Sequence, residues 1–331
     1  MSTPAGTSVE HQRSRTVRRI AVVGTGFMGT GIGVELALRV STLESVALCD
    51  AQEGAAARAV ERAREIGRTL SDAGVISEDE ANSRLGRLRA APSLEEALDG
   101  VTYVVEAVPE ELPIKQHTFS LLDRIALPDA VLASNTSGFD PAELAQGLTH
   151  PERILVAHYF GPAYLIPLVE IVPHSATASW AVERTETLLE TAGKRPIRLG
   201  QFAPGFVANR LQQALFREAL YLVREGIATP DAIDEVVRFS FGPRLASLGP
   251  FTVADFAGLD VYSSLATNVW PTLSTETAAE APPRELAERV SSGSLGTKTG
   301  QGFHSWPPDR LQSIGARRDV ALARVLQSTE S

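Results

Sequence analysis

The run Arg19-Ile-Ala-Val-Val-Gly24 is apolar, rich in β-branched residues and of strand length. It is followed at once by Gly24-Thr-Gly26-Phe-Met-Gly29 and then by helical spacing at Met28, Ile32 and Leu36. A strand, a G-x-G-x-x-G turn and a helix in that order leave few folds open. The first glycine permits the tight turn, the second lets a pyrophosphate approach the backbone, and the third lets helix and strand pack closely. The helix N-terminus is then aimed at phosphate oxygens. Gly24, Gly26, Phe27, Met28 and Gly29 are the residues expected at a dinucleotide.

The next strand, Ser45-Val-Ala-Leu-Cys-Asp50, ends in an acid 26 residues after Gly24. A carboxylate there accepts hydrogen bonds from the adenosine ribose and repels a 2′-phosphate, which favours NAD over NADP. Asp50 could also cap the helix that follows, and both roles can hold at once. Helical segments alternate with further buried-type strands at Val101–Val108 and Ala130–Ser134. In an open parallel sheet, ligands bind beyond the carboxyl ends of the strands. Asp50, Glu110 and the turn Ser134-Asn135-Thr-Ser137-Gly138 therefore point at one crevice. The pattern predicts an α/β chain, a Rossmann-type doubly wound sheet followed by an all-helical C-terminal domain.

A second pattern carries the chemistry. Val156-Ala-His158-Tyr-Phe reads as a strand ending near His158, Gly161-Pro162 as a turn, and Leu168-Val-Glu170-Ile-Val172 as the returning strand. Such a hairpin can bring the imidazole of His158 face to face with the carboxylate of Glu170. Hydride transfer to or from a carbinol needs a base with a pKa near the working pH, and a carboxylate orients that base. The other histidines, His11, His117, His150, His174 and His304, lie in tail, helix or loop contexts without such a partner.

At Gln201 to Gly205 the pattern becomes wholly helical. A long amphipathic segment runs to Gly226, and further helices are expected over 229–241, 250–270 and 284–291. Four regions result: a disordered tail over 1–17, a nucleotide-binding domain over 18–201, a helical domain over 202–306, and a tail over 307–331 with one short helix at 319–327. The formal net charge of −9 argues against nucleic acid or an anionic membrane as partner. The chain has no apolar run long enough to span a bilayer and no apolar core of a secretory signal. One cysteine, Cys49, allows no intramolecular disulfide and no Cys-rich metal site, which fits a reducing cytoplasm.

Several motifs together resemble the L-3-hydroxyacyl-CoA dehydrogenase family. They are the glycine motif, Glu106-Ala-Val-x-Glu110 with Lys115, Ser134-Asn-Thr-Ser137, the His158 to Glu170 hairpin, Pro204-Gly-Phe-Val-x-Asn209-Arg-Leu, Gly249-Pro-Phe, Gly258-Leu-Asp260 and Gly296-Thr-Lys-Thr-Gly-Gln-Gly-Phe303. The resemblance spans about Arg18 to Trp306. It implies that His158 and Glu170 are an acid/base dyad, and that Ser137 and Asn209 hydrogen-bond the substrate and support the histidine. It also implies that Glu110 and Lys115 contact the nicotinamide half of NAD, and that the helical domain forms a homodimer. The substrate implied is a small molecule bearing a 3-hydroxyacyl group.

The sequence departs from the family where Gly161 stands in place of the usual Asn before the hairpin proline. The run Ile166-Pro-Leu-Val-Glu170-Ile-Val-Pro-His174 is similar to the branch with lambda-crystallin and L-gulonate 3-dehydrogenase, whose substrates are free 3-hydroxy acids. Arg58, Arg62, Arg64 and Arg68 on the helix expected over a CoA moiety are either phosphate partners or a solvated basic face.

Overall fold

The computed structural model of the chain describes residues 16–276 and 282–329, so the expected tail lies outside the described residues except for its last two positions. The chain divides into two compact units, the first ending at Val207 and the second starting at Ala208.

The first unit is an alternation of strands and helices. In chain order these are β1 (Arg19–Val23), α1 (Phe27–Arg39), β2 (Ser45–Cys49), α2 (Ala55–Asp72), α3 (Glu78–Leu85), β3 (Leu88–Ala90), α4 (Leu94–Leu98) and β4 (Tyr103–Glu106). Then come α5 (Leu112–Ile125), β5 (Val131–Ser134), α6 (Pro141–Leu144), β6 (Ile154–Tyr159), β7 (Leu168–Pro173), α7 (Ser179–Thr191) and β8 (Arg195–Arg198). The eight strands form one sheet in the order β3-β2-β1-β4-β5-β6-β7-β8. All neighbours are parallel except β6 and β7, which run antiparallel. The strand order reverses between β1 and β4, the point at which a doubly wound sheet opens its ligand crevice.

The central strands are apolar over most of their length because helices cover both faces, with Glu106, Ser134 and His158 as polar residues toward their carboxyl ends. Ile20, Ala21 and Val22 of β1, Tyr103 to Val105 of β4, Val131 to Ala133 of β5 and Ile154 to Ala157 of β6 are wholly buried. Ser77 accepts a hydrogen bond from the backbone of Glu80, and Ser93 from that of Glu96, so each serine caps the start of its helix, as a Ser-x-x-Glu pattern predicts. The three-residue strand β3 has no counterpart in the sequence reading. Only Leu88 in it is buried, and so short an edge strand leaves no periodic signal.

The second unit contains α8 (Ala208–Arg224), α9 (Pro230–Phe239), α10 (Phe241–Ser247), α11 (Pro250–Ala257), α12 (Leu259–Val269), α13 (Arg284–Ser291) and α14 (Pro308–Thr329). Three helical expectations require correction. The helix over 229–241 breaks at Ser240, whose ψ of −94° leaves the helical region, and a separate helix starts at Phe241. The helix over 250–270 is two helices separated by Gly258, whose φ of +93° only glycine adopts without strain. The C-terminal segment is a helix of 22 residues rather than a short one, started by Pro308 and Asp309, the residue types that favour a first turn.

Within this unit the Phe303 ring meets Phe216 edge-on, and the Arg289 guanidinium lies 3.9 Å over it. The glycine-rich Gly296 to Phe303 segment thus folds back onto α8 and α13. Among the described residues no helix is long and apolar enough to cross a membrane.

Candidate active site

The carboxyl ends of β1, β2, β4, β5 and β6 carry the residues that the sequence singles out. At the end of β1, Gly24 has a φ of +93°, and a Cβ there would lie 2.5 Å from the Ala107 carbonyl carbon and oxygen. A Cβ at Gly29 would lie 1.8 Å from the Gly24 carbonyl oxygen, so strand, turn and helix close on each other only with glycine. At Gly26 nothing stands within 4 Å of such an atom, which leaves the open approach a pyrophosphate needs. The first turn of α1 has no side-chain cap and no acidic residue, so its N–H groups are left for an anion. Phe27 is 66% exposed beside this turn.

Asp50, just past β2, is tied to the same turn. One carboxylate oxygen accepts the Thr25 N–H at 2.7 Å and the Thr25 hydroxyl at 2.8 Å, and the other accepts the Gln52 N–H at 2.9 Å. Burial works against its charge, but the bonds from Gln52 and Thr25 and the Arg58 guanidinium prevail and hold its pKa below the usual value. Asp50 does not cap α2, whose N-cap is Gly54. The residue set fits a dinucleotide with an unphosphorylated ribose.

Of the arginines on α2, Arg62 turns inward to the Thr25 carbonyl and the Thr30 hydroxyl. Arg58 donates to the Glu53 carbonyl, and Arg64 pairs with Glu61.

Beyond β4 and β5 lies a charged network. Lys115, only 1% exposed, donates to both oxygens of the buried Glu106 at 2.9 and 3.2 Å and pairs with Glu110 at 3.2 Å. The Ser134 hydroxyl donates to Glu106. Glu110 Oε1 accepts the Thr136 hydroxyl, the Ser137 N–H and the Ser137 hydroxyl. The desolvation of Glu110 is outweighed by Thr136, Lys115 and Ser137, which hold its pKa below the usual carboxylate value. Asn135 spans to the next strand, where its side-chain oxygen accepts the Tyr159 N–H at 2.9 Å.

Glu106, quoted in the family motif, was given no role by the sequence. An acid closing an otherwise apolar strand, with a lysine nine positions on, was the available signal.

On the antiparallel pair, His158 and Glu170 stand directly opposite each other. His158 Nδ1 lies 3.0 Å from Glu170 Oε2, and the histidine is 5% exposed. Glu170 Oε1 accepts the Val207 N–H at 3.0 Å. The rings of Phe160 and Phe206 meet the imidazole at centroid distances of 4.4 and 5.3 Å. Phe206 is fully buried with a φ of +50°, a conformation that costs a non-glycine residue about 1–3 kcal/mol and is held here by its packing. With Nδ1 fixed on a carboxylate, Nε2 is the nitrogen left to exchange a proton with a ligand.

Asn209 belongs to the second unit, half-buried in the first turn of α8. The expectation that the remaining histidines lack acidic partners fails at His304, whose two ring nitrogens lie 3.1 and 3.0 Å from Asp231 and Asp234 of α9. His150 likewise lies 3.5 Å from Glu152. The His304 pair joins residues 70 positions apart, a distance over which spacing gives no warning. Among the described residues, no group of three or more His, Cys, Asp or Glu side chains could hold a metal ion.

Residues 19–202 match the NAD binding domain of 3-hydroxyacyl-CoA dehydrogenase, and residues 205–306 match its C-terminal domain. A 5-formyl-3-hydroxy-2-methylpyridine 4-carboxylate 5-dehydrogenase of Mesorhizobium japonicum is 33% identical over 320 residues, which are 95% of this chain and 100% of that protein. An L-carnitine dehydrogenase of Pseudomonas putida is 35% identical over 74% of this chain and 75% of its own. The crystal structure of a 5-formyl-3-hydroxy-2-methylpyridine 4-carboxylic acid 5-dehydrogenase, described as an NAD+ dependent dismutase, superposes with a TM-score of 0.84 at 31% identity, covering 94% of this chain and 99% of that one. With both domains matched in order and the nucleotide turn built as the motif requires, the chain belongs to the 3-hydroxyacyl-CoA dehydrogenase family and is an NAD-dependent dehydrogenase.

Proposed function

We propose that the chain interconverts a hydroxyl and a carbonyl on a small carboxylic acid or its thioester, with His158 and Glu170 as the acid/base dyad. The observation that carries this reading is the opposed pair on β6 and β7, with Nδ1 and Oε2 3.0 Å apart. Bound NAD supplies the hydride acceptor. In oxidation, Nε2 of His158 removes the hydroxyl proton, and the imidazolium is stabilised through Nδ1–H by the Glu170 carboxylate. The Val207 N–H on the other oxygen keeps that carboxylate from turning away. Reduction is the reverse, with His158 as the acid. Phe160 and Phe206 limit the access of water to the imidazole.

In this reading Ser137 and Asn209 hydrogen-bond the substrate. Glu110 is the cofactor contact of the Glu110–Lys115 pair, because its side chain is 44% exposed while that of Lys115 is 1% exposed. The first unit binds NAD. The second forms a homodimer, for which the exposed Phe239, Phe251, Phe256 and Trp270 supply apolar surface.

A free 3-hydroxy acid is favoured over a CoA thioester. Arg58, Arg62 and Arg64 are engaged within the protein, which leaves few of the α2 arginines for a CoA phosphate. The relatives named for L-carnitine and for a pyridine carboxylate act on free acids. The test follows the NADH absorbance band with acetoacetyl-CoA and NADH, and with L-carnitine and other free 3-hydroxy acids and NAD. Turnover of free acids alone supports the favoured reading. Turnover of the thioester alone selects the other, and no turnover of either class contradicts the proposal.

A further inference from the structure

The loop between His158 and Glu170 is held from outside by a buried ion pair that the chemistry above does not use. Lys194 lies between α7 and β8, and Glu35 lies on α1, the helix that starts at the nucleotide turn. Both side chains are almost fully buried, and Lys194 Nζ is 3.0 Å from Glu35 Oε1. The same ammonium donates to the Ala163 carbonyl at 2.6 Å and to the Ile166 carbonyl at 2.9 Å. Three acceptors match the three N–H bonds of a charged lysine.

Those two carbonyls belong to the connection that closes the hairpin. Within the same connection Leu165 and Ile166 donate back to the Pro162 carbonyl, and Arg195 N–H donates to the Pro167 carbonyl. The loop rests on α1, where a Cβ at Gly31 would come 3.5 Å from the Ala163 side chain. Immediately after Lys194, β8 pairs with β7, setting Ile197 beside Glu170. Lys194 is thus joined to the cofactor helix, the hairpin loop and the strand flanking Glu170.

We propose that Lys194, charged and anchored by Glu35, is a positioning residue that fixes the hairpin loop and through it the His158–Glu170 geometry against the cofactor helix. Burial pushes the Glu35 carboxyl above its usual pKa despite Lys194, and pulls Lys194 below its own despite Glu35. Replacing such a pair by apolar side chains often preserves stability, so a geometric role can be separated from a stabilising one.

The proposal rests on the dyad reading, and its test has one arm that needs no substrate. Lys194→Met and the double variant Glu35→Leu with Lys194→Met are prepared in the full chain, the double variant because it leaves no unpaired buried charge. The imidazole carbon resonance of His158 is read in protein carrying carbon-13 histidine and assigned by its loss in His158→Gln. In the folded double variant that resonance shifts and broadens, while NADH binding stays within about 2-fold of wild type. With whichever of L-carnitine and acetoacetyl-CoA the wild type turns over, kcat falls about 10- to 100-fold, the scale of a roughly 1 Å misplacement, and KM changes less. A folded double variant with an unmoved His158 resonance and unchanged kcat overturns the proposal. A wild type inactive on both probes counts against the dehydrogenase reading alone, because the resonance arm remains.

Discussion

Glu110 Oε1 receives the backbone N–H of Ser137 at 2.8 Å and its hydroxyl at 3.2 Å. One carboxylate oxygen therefore fastens the turn after β5 to the turn after β4, across strands paired at Glu106 and Ser134. Lys115 and Glu106 stand behind it as a buried charge pair. Glu110→Gln keeps the shape but loses the charge that makes these bonds strong. It should lower kcat/KM about tenfold or more, the scale of one hydrogen bond to a charged group. Steady-state kinetics with NADH as the varied substrate check this, and an unchanged kcat/KM refutes it.

Asp50 is held ionised beside Thr25 at the mouth of the nucleotide turn. Asp50→Ala should weaken NADH binding about tenfold or more, through the lost ribose contact and the loosened turn. It should also narrow the preference for NADH over NADPH, because the repulsion of a 2′-phosphate is gone. Fluorescence titration with both cofactors gives the two numbers. Equal weakening for both would leave Asp50 a turn-holding role only.

Asp123 and Arg153 anchor the approach to the amino end of β6. The buried Arg153 guanidinium is 2.8 Å from Asp123 Oδ1, and Asp123 Oδ2 accepts the Thr149 N–H at 2.7 Å. Burial opposes the Asp123 charge, but Arg153 and Thr149 prevail and its folded pKa lies below the usual value. A carboxylate depressed in the folded state contributes stability above its unfolded pKa of about 3.9, and that contribution is lost as pH falls through the folded value. The melting temperature should therefore show no Asp123-dependent change from neutral pH to about pH 5 and should fall below about pH 4. Asp123→Asn strands Arg153 and should cost about 3–5 kcal/mol at neutral pH, with a smaller loss on acidification. Thermal melts of both proteins across pH test the sign.

Gly161 and Phe27 meet where the hairpin turn approaches the nucleotide turn. A Cβ at position 161 would lie 2.8 Å from Phe27 Cε1 and 3.4 Å from Met28 Sδ, so Gly161→Ala must push the exposed Phe27 ring aside. A double-mutant cycle with Phe27→Ala, read by the NADH dissociation constant, should show a coupling of about 0.5 kcal/mol or more. Strict additivity would mean that the ring has no part in cofactor binding.

Much of the first unit was legible because its signals are local. The glycine motif, the buried strands and the capping serines Ser77 and Ser93 declare themselves over a few residues. The facing of His158 and Glu170 followed from one Gly-Pro turn between two apolar strands. What stayed hidden depends on distant partners. Glu106 and Lys115 meet through a strand, a turn and a helix, and Lys194 reaches Glu35 across most of the first unit, distances over which spacing carries no geometry. Arg62 read as either a phosphate partner or part of a solvated basic face, yet the Thr25 carbonyl captures it. In the helical half, one glycine at 258 and one serine at 240 divide segments whose apolar pattern reads as continuous.

His158 is the proton-exchanging group of the proposed chemistry, and His158→Gln tests that role most directly. Glutamine keeps a polar side chain at the site but cannot carry the proton at neutral pH. The variant should bind NADH as the wild type does and lose about 10²- to 10⁴-fold in kcat, the usual contribution of a positioned acid/base group. Near-normal turnover in a folded, NADH-binding His158→Gln protein would contradict the assignment.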